Sequence, residues 1–156
     1  TAADVPAATL GETTLLFANG SPAGTARLMR DGGGVSITVA VSGMTPGPKG
    51  YHMHTAGRCE GPKFESAGGH LNPDNRRHGT LAPGGAHLGD LPNLQVGSDG
   101  TARATEVVAG GEAALASIFD ADGTAVIVHA QADDYRTDPS GNSGERVACG
   151  VLRRTG

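Results

Sequence analysis

At 156 residues the chain is long enough for one domain with a sizeable buried core, and a single domain over 1–156 is expected. A formal net charge of −4 and a pI near 5.8 exclude a broad cationic surface of the kind that holds nucleic acid or anionic lipid. No apolar run approaches the roughly 20 residues of a membrane-spanning helix, so no membrane span is expected.

The chain opens without a basic-then-apolar leader, which reads as a mature chain with its signal peptide absent, and Thr1–Ala8 reads as a loose end. Strand signals follow at Thr13–Ala18 and Thr25–Arg30. The clearest is Gly34–Met44, where Val35, Ile37, Val39 and Val41 alternate with Ser36, Thr38, Ala40 and Ser42, the period of a half-buried strand. Gly50–His54 reads as a strand end. Further strands are expected at Leu91–Val96, Thr101–Val108, Thr124–Ala130 and Arg146–Leu152, with one helical turn or a strand edge at Glu112–Phe119. Turn chemistry separates them at Asn19-Gly20, Asp31–Gly34, Thr45–Pro48, Ser98–Gly100 and Asp122-Gly123. About eight short antiparallel strands imply an all-β sandwich or flattened barrel.

Two stretches break this rhythm, Thr55–Gly89 and Ala132–Gly144. Long loops without structure of their own are usually functional in a compact domain. The histidines gather around the first of them. His52 and His54, two apart on a strand, leave the same face. His70, His78 and His87 follow at loop spacing, with Asp90 three residues later, and three nitrogens with one carboxylate oxygen make a closed tetrahedral zinc shell. His129 ends the apolar run Ala125–Val128, a strand that reads as buried on both faces. Any one of these histidines alone is weak evidence for a metal. Together they form a nitrogen-rich set that also suits copper and does not suit calcium or magnesium.

The only cysteines, Cys59 and Cys149, lie 90 residues apart, far from the spacing of a zinc knuckle or redox motif. Two buried thiols and one disulfide both fit that count. A bridge would close a loop worth roughly 4 to 5 kcal/mol in the chain-entropy model and would call for an oxidising compartment.

Four runs, GYHMHTAGRC, SAGGHLNPDNRRHGTLAPGGAHLGDL, AVIVHAQADD and GNSGERVACGV, together resemble the Cu,Zn superoxide dismutases of bacterial, secreted type and occur in that family's order. The resemblance implies a Greek-key β-barrel with two long functional loops. It implies copper on His52, His54, His70 and His129, zinc on His70, His78, His87 and Asp90, and His70 shared between the metals. It also implies a Cys59–Cys149 disulfide, Asp133 as the carboxylate linking a copper histidine to a zinc histidine, and Arg146 as the residue that guides the anionic substrate. His70 and Arg146 are then the residues closest to the chemistry.

The implied reaction is dismutation of superoxide to dioxygen and hydrogen peroxide in an extracytoplasmic setting, whether secreted, periplasmic or cell-surface. A copper-binding or storage protein of the same fold is the alternative, and Arg146 favours turnover. A cupin-type site is disfavoured because Glu60 falls six residues after His54 and the His70–Asp90 series would have no role. Between Asp134 and Gly141 the second loop is shorter and poorer in charge than that of familiar eukaryotic members of the family, and Lys63, Arg76, Arg77 and Arg136 could supply some of the missing positive field. Monomer and homodimer both remain open.

Overall fold

The computed structural model describes residues 8–31, 34–61, 63–74, 76, 78–79, 81, 86–108, 111–137 and 141–155. The expectation of a loose end at Thr1–Ala8 lies outside the described residues, except that Ala8 opens the first strand. The described strands in chain order are β1 (Ala8–Phe17), β2 (Pro22–Asp31), β3 (Gly34–Val41), β4 (Gly47–Lys49), β5 (Tyr51–His54), β6 (Leu94–Val96), β7 (Ala102–Val107), β8 (Ala125–His129), β9 (Arg146–Val151) and β10 (Arg153–Arg154). Between β7 and β8 a 3-10 turn over Gly111–Ala114 runs into one short helix, α1 (Leu115–Ile118), which buries Ala114 and Ile118.

The main sheet runs β5-β8-β9-β1-β2-β3-β7, with β10 pairing beside β1, and every pairing is antiparallel. It curls into a half-barrel with Greek-key connections, the all-β fold expected. The alternation in β3 is realised residue by residue: Val35, Ile37, Val39 and Val41 are buried and their neighbours half-exposed. These side chains meet Leu15, Leu28, Tyr51, Met53, Leu94, Val126 and Val128 in one apolar core.

Three local expectations are corrected. The strand expected over Leu91–Val96 is confined to Leu94–Val96 and pairs outside the main sheet with β4, which occupies part of the expected turn Thr45–Pro48. Pro48 is tolerated opposite Gln95 because a two-stranded ribbon leaves an outer edge where no N–H is needed. β1 starts five residues before Thr13, since a register shift between Thr9 and Gly11 interrupts the alternation that would have revealed it. β10, which the sequence did not signal, pairs with β1 at Gly11 and Glu12.

The site is prepared by how β5 and β8 are covered. Tyr51 and Met53 point into the main core, which sends His52 and His54 to the opposite side. In β8, Val126 and Val128 join the main core while Ala125 and Ile127 pack against Phe64, Ala67 and Cys149 in a second, smaller cluster. All five residues of β8 are buried, as the uninterrupted apolar run predicts. The second cluster is roofed by the first long loop, and a Cys59–Cys149 disulfide ties that loop to β9.

Candidate metal centre

The loop that carries the expected zinc ligands is stitched along the free edge of β5. Leu71 N–H donates to Met53 O at 2.8 Å, Met53 N–H to Gly89 O at 2.9 Å, Gly89 N–H to Leu71 O at 2.8 Å and Thr55 N–H to Gly69 O at 2.9 Å. The bonds to Met53 and Thr55 cover an edge that would otherwise be exposed, and the bond from Gly89 to Leu71 ties the two loop segments to each other. They also set register, pairing His54 with His70 and His52 with Asp90. A loop without strand signals therefore delivers its histidine with strand-like accuracy.

Two donor clusters result. One ligand atom from each of His52, His54, His70 and His129 lies within 4.8 Å of the others, and the same holds for His70, His78, His87 and Asp90. His70 belongs to both, and its ring stacks on His52 with centroids 4.0 Å apart. A third group, His52, His78 and Asp133, connects them.

Hydrogen bonds assign the nitrogens. His54 Nδ1–H donates to Gly68 O at 2.9 Å and His129 Nδ1–H to Gly144 O at 3.1 Å. His52 Nε2–H donates to Asp133 Oδ2 at 2.7 Å. Each ring thus spends one nitrogen on an acceptor and turns the other inward. His52 Nδ1, His54 Nε2, His70 Nε2 and His129 Nε2 are buried and have no hydrogen-bond partner. Four partnerless nitrogens facing one another would be costly in a protein that left them so. They fit a cation.

Electrostatics keep those lone pairs free. Burial pushes His52 down to about 3 and His129 down to about 4, and it also lowers His54, so these rings are neutral at physiological pH. The second cluster is richer in charge. His70 Nδ1 and His78 Nδ1 lie 2.8 and 2.9 Å from Asp90 Oδ1, and His87 Nδ1 lies 3.2 Å from His70 Nδ1. For His78, burial opposes the charged form, but hydrogen bonds to Asp133 and Asp90 outweigh it and raise the ring to about 9. Asp90 and Asp133 are held well below the usual carboxylate range by their histidine hydrogen bonds, against the opposing effect of burial. Three convergent Nδ1 atoms beside a carboxylate are the donor set of a tetrahedral zinc site.

Asp133 divides its carboxylate between the clusters, with Oδ2 taking His52 and Oδ1 taking His78 Nε2–H at 2.7 Å. Gly141 makes room for it: its φ is +68°, and a Cβ there would collide with Asp133 Oδ1. Arg146, opposite His129 across β8 and β9, donates from Nη1 to Phe64 O at 2.8 Å and from Nη2 to Gly68 O at 2.7 Å. Gly68 O therefore accepts from both Arg146 and His54, which anchors the guanidinium one atom away from a ligand ring. Burial lowers the Arg146 pKa and Glu65 raises it, and arginine stays charged throughout the physiological range.

A cleft of about 540 Å³ lies over Arg146, lined also by Lys63, Glu65, Gly144 and Glu145. Of the auxiliary cations expected, Lys63 lines this cleft, Arg76 and Arg136 are exposed elsewhere, and Arg77 lies outside the described residues. The sequence reading missed the carbonyls of Gly68 and Gly144, which choose the histidine tautomers. A backbone acceptor carries no residue signature, so no motif could have marked them.

No described helix is long and apolar enough to cross a membrane. Residues 22–152 match the family model "Copper/zinc superoxide dismutase (SODC)". The chain is 46% identical over 129 residues to the superoxide dismutase-like protein YojM of Bacillus subtilis, covering 78% of this chain and 64% of that one. It is 38% identical over 143 residues to superoxide dismutase [Cu-Zn] 2 of Aquifex aeolicus, covering 89% and 84% respectively. The crystal structure of a SOD-like protein from Bacillus subtilis superposes with a TM-score of 0.85 at 40% identity, covering 94% of this chain and all of that one. With a four-histidine cluster sharing one ring with a three-histidine, one-aspartate cluster, and with relatives matched over most of its length, the chain belongs to the copper/zinc superoxide dismutases, whose metals are copper and zinc and whose reaction is the dismutation of superoxide.

Proposed function

We propose that His52, His54, His70 and His129 hold the copper, that His70, His78, His87 and Asp90 hold the zinc, and that Arg146 receives the superoxide anion. The observation that carries this reading is the convergence of four buried, partnerless imidazole nitrogens, one of them on a ring whose other nitrogen faces Asp90. Copper bound there supplies one-electron chemistry by alternating between two oxidation states, which zinc cannot do.

The protein's own part is electrostatic and protonic. Arg146 offers a fixed positive charge at the base of the cleft, and Lys63 adds to it at the rim. Glu65 and Glu145 line the same cleft and temper that field. His70 Nε2 is the atom suited to hold a proton for the peroxide product, because Asp90 and the zinc-side rings keep the imidazole oriented while Nε2 is turned toward the nitrogens of His52, His54 and His129. Asp133 keeps His52 and His78 in fixed orientation, so the two clusters respond as one unit.

The single domain proposed over 1–156 is supported by one main core that gathers side chains from β1 to β9. The disulfide fits an oxidising, extracytoplasmic setting. A storage role is disfavoured by Arg146, which binding copper alone would not require.

Purified protein loaded with both metals is expected to show equimolar copper and zinc, a spin-resonance spectrum altered by His70→Ala, and catalytic loss of superoxide. Arg146→Ala should keep both metals and lose activity together with its ionic-strength dependence. Stoichiometric metals with negligible turnover in the unaltered protein would instead support storage.

A further inference from the structure

The second long loop is short, yet one residue in it reaches three other parts of the site. Tyr135 lies two residues past Asp133 and adopts a left-handed backbone with φ +65°, unusual for an aromatic residue. Its N–H donates to Asp133 Oδ1 at 2.7 Å, the same oxygen that accepts from His78. Its carbonyl accepts from Leu81 N–H at 2.9 Å, in the loop that carries His78 and His87. Its hydroxyl accepts from Asn93 N–H at 2.9 Å, three residues beyond Asp90.

Asn93 closes the ring. Its side chain donates from Nδ2 to Asp133 O at 3.0 Å and accepts from Asp133 N–H at 2.9 Å, gripping that backbone on both sides. Gly79, next to His78, packs so tightly against Tyr135 that a Cβ at Gly79 would run into the Tyr135 carbonyl. Backbone strain of this kind persists only where the surroundings over-determine it. Here the over-determination joins the segment of His78 and the segment after Asp90 to the loop that carries Asp133.

We propose that Tyr135 is a positioning residue for zinc: it latches the short second loop to the His78 loop and to the segment after Asp90, and so slows zinc release. The proposal rests on the zinc reading above. It assigns to one tyrosine the bracing of this loop against the His78 loop and the segment after Asp90, which the internal hydrogen bonds of Asp134 to Arg136 and Thr137 do not provide. Removing its hydroxyl leaves Asn93 N–H without its acceptor and frees one side of the latch, while every ligand and Asp133 remain in place.

The test compares the metal-loaded protein with Tyr135→Phe and Leu81→Pro, which removes the amide that bonds the Tyr135 carbonyl. Zinc transfer to a chromogenic chelator is timed, and urea unfolding of the metal-free proteins is measured alongside. We expect release about tenfold faster in each variant, the lower end of what outer-shell partners cost in metal affinity, with metal-free midpoints close to the parent. Parent-like release rates in both variants would overturn the latch and leave the zinc site standing, as would faster release matched by an equal loss of metal-free stability. Should the parent itself take no zinc, shown by the absence of tetrahedral cobalt bands after substitution, the zinc reading fails and the latch with it.

Discussion

The two donor clusters differ in what holds them. On the copper side, three of four histidines stand on β5 and β8, two strands paired to each other and buried on both faces, and their positions follow from strand register. On the zinc side every ligand stands on a loop, and position depends on cross-links: the hydrogen bonds to the β5 edge, the shared carboxylate of Asp133 and the disulfide behind them. The electrostatics divide the same way. Burial is the main cause that keeps the copper-side rings neutral, with neighbouring charges adding to it, whereas on the zinc side hydrogen bonds to Asp133 and Asp90 draw charge onto His78. A strand-borne site is stable because the core is stable, while a loop-borne site needs its own bracing.

The largest blow to this contrast is His70→Ala, which removes the ring both clusters share. Zinc affinity should fall by more than the about 100-fold that outer-shell losses reach, and the copper spectrum should change even where copper is retained. Metal analysis with spin resonance reads both. Reducing the disulfide, or Cys59→Ser, comes next. It should cost up to about 4 to 5 kcal/mol by chain entropy, seen as a lower urea midpoint, and zinc should be lost before copper because the freed loop carries zinc ligands. Equal loss of both metals would erase the distinction between strand-borne and loop-borne sites.

Asp133→Asn is expected to weaken zinc by about 10- to 100-fold, because the amide keeps one acceptor oxygen where two histidine N–H groups require two. Titration with a competing chelator measures it. The smallest effect is a control far from either cluster, the exposed pair in which Arg30 donates to both Glu112 oxygens at 3.0 and 2.7 Å. The Arg30 hydrogen bond holds the Glu112 carboxyl below its usual range. Its stabilisation is therefore present above the unfolded glutamate pKa and is lost as pH falls through the lowered folded value. Glu112→Gln should remove that acid-side slope from the thermal melting profile, shift the midpoint only slightly and leave both metals bound.

Legibility in the sequence followed the same division. His52 and His54 could be placed on one face, and β8 read as doubly buried, because strand periodicity projects directly onto space. The pairing of His54 with His70 could not be read, since it arises from a loop edge bonding to β5 without any strand pattern of its own. Tyr135 read as an ordinary loop residue and Asn93 as part of the strand expected over Leu91–Val96. Their contact joins a backbone N–H to a side-chain hydroxyl 42 residues away, which no local motif records.

From residue order alone came the all-β class, the ligand types, the resemblance that grouped them and the two cysteines able to bridge. These are properties of local periodicity and of side-chain chemistry, both carried by each residue wherever it sits. Tertiary structure alone decided which nitrogen of each ring faces inward and that Gly68 O ties Arg146 to His54. Those facts depend on hydrogen-bond partners brought from distant segments, and only folding brings them within reach.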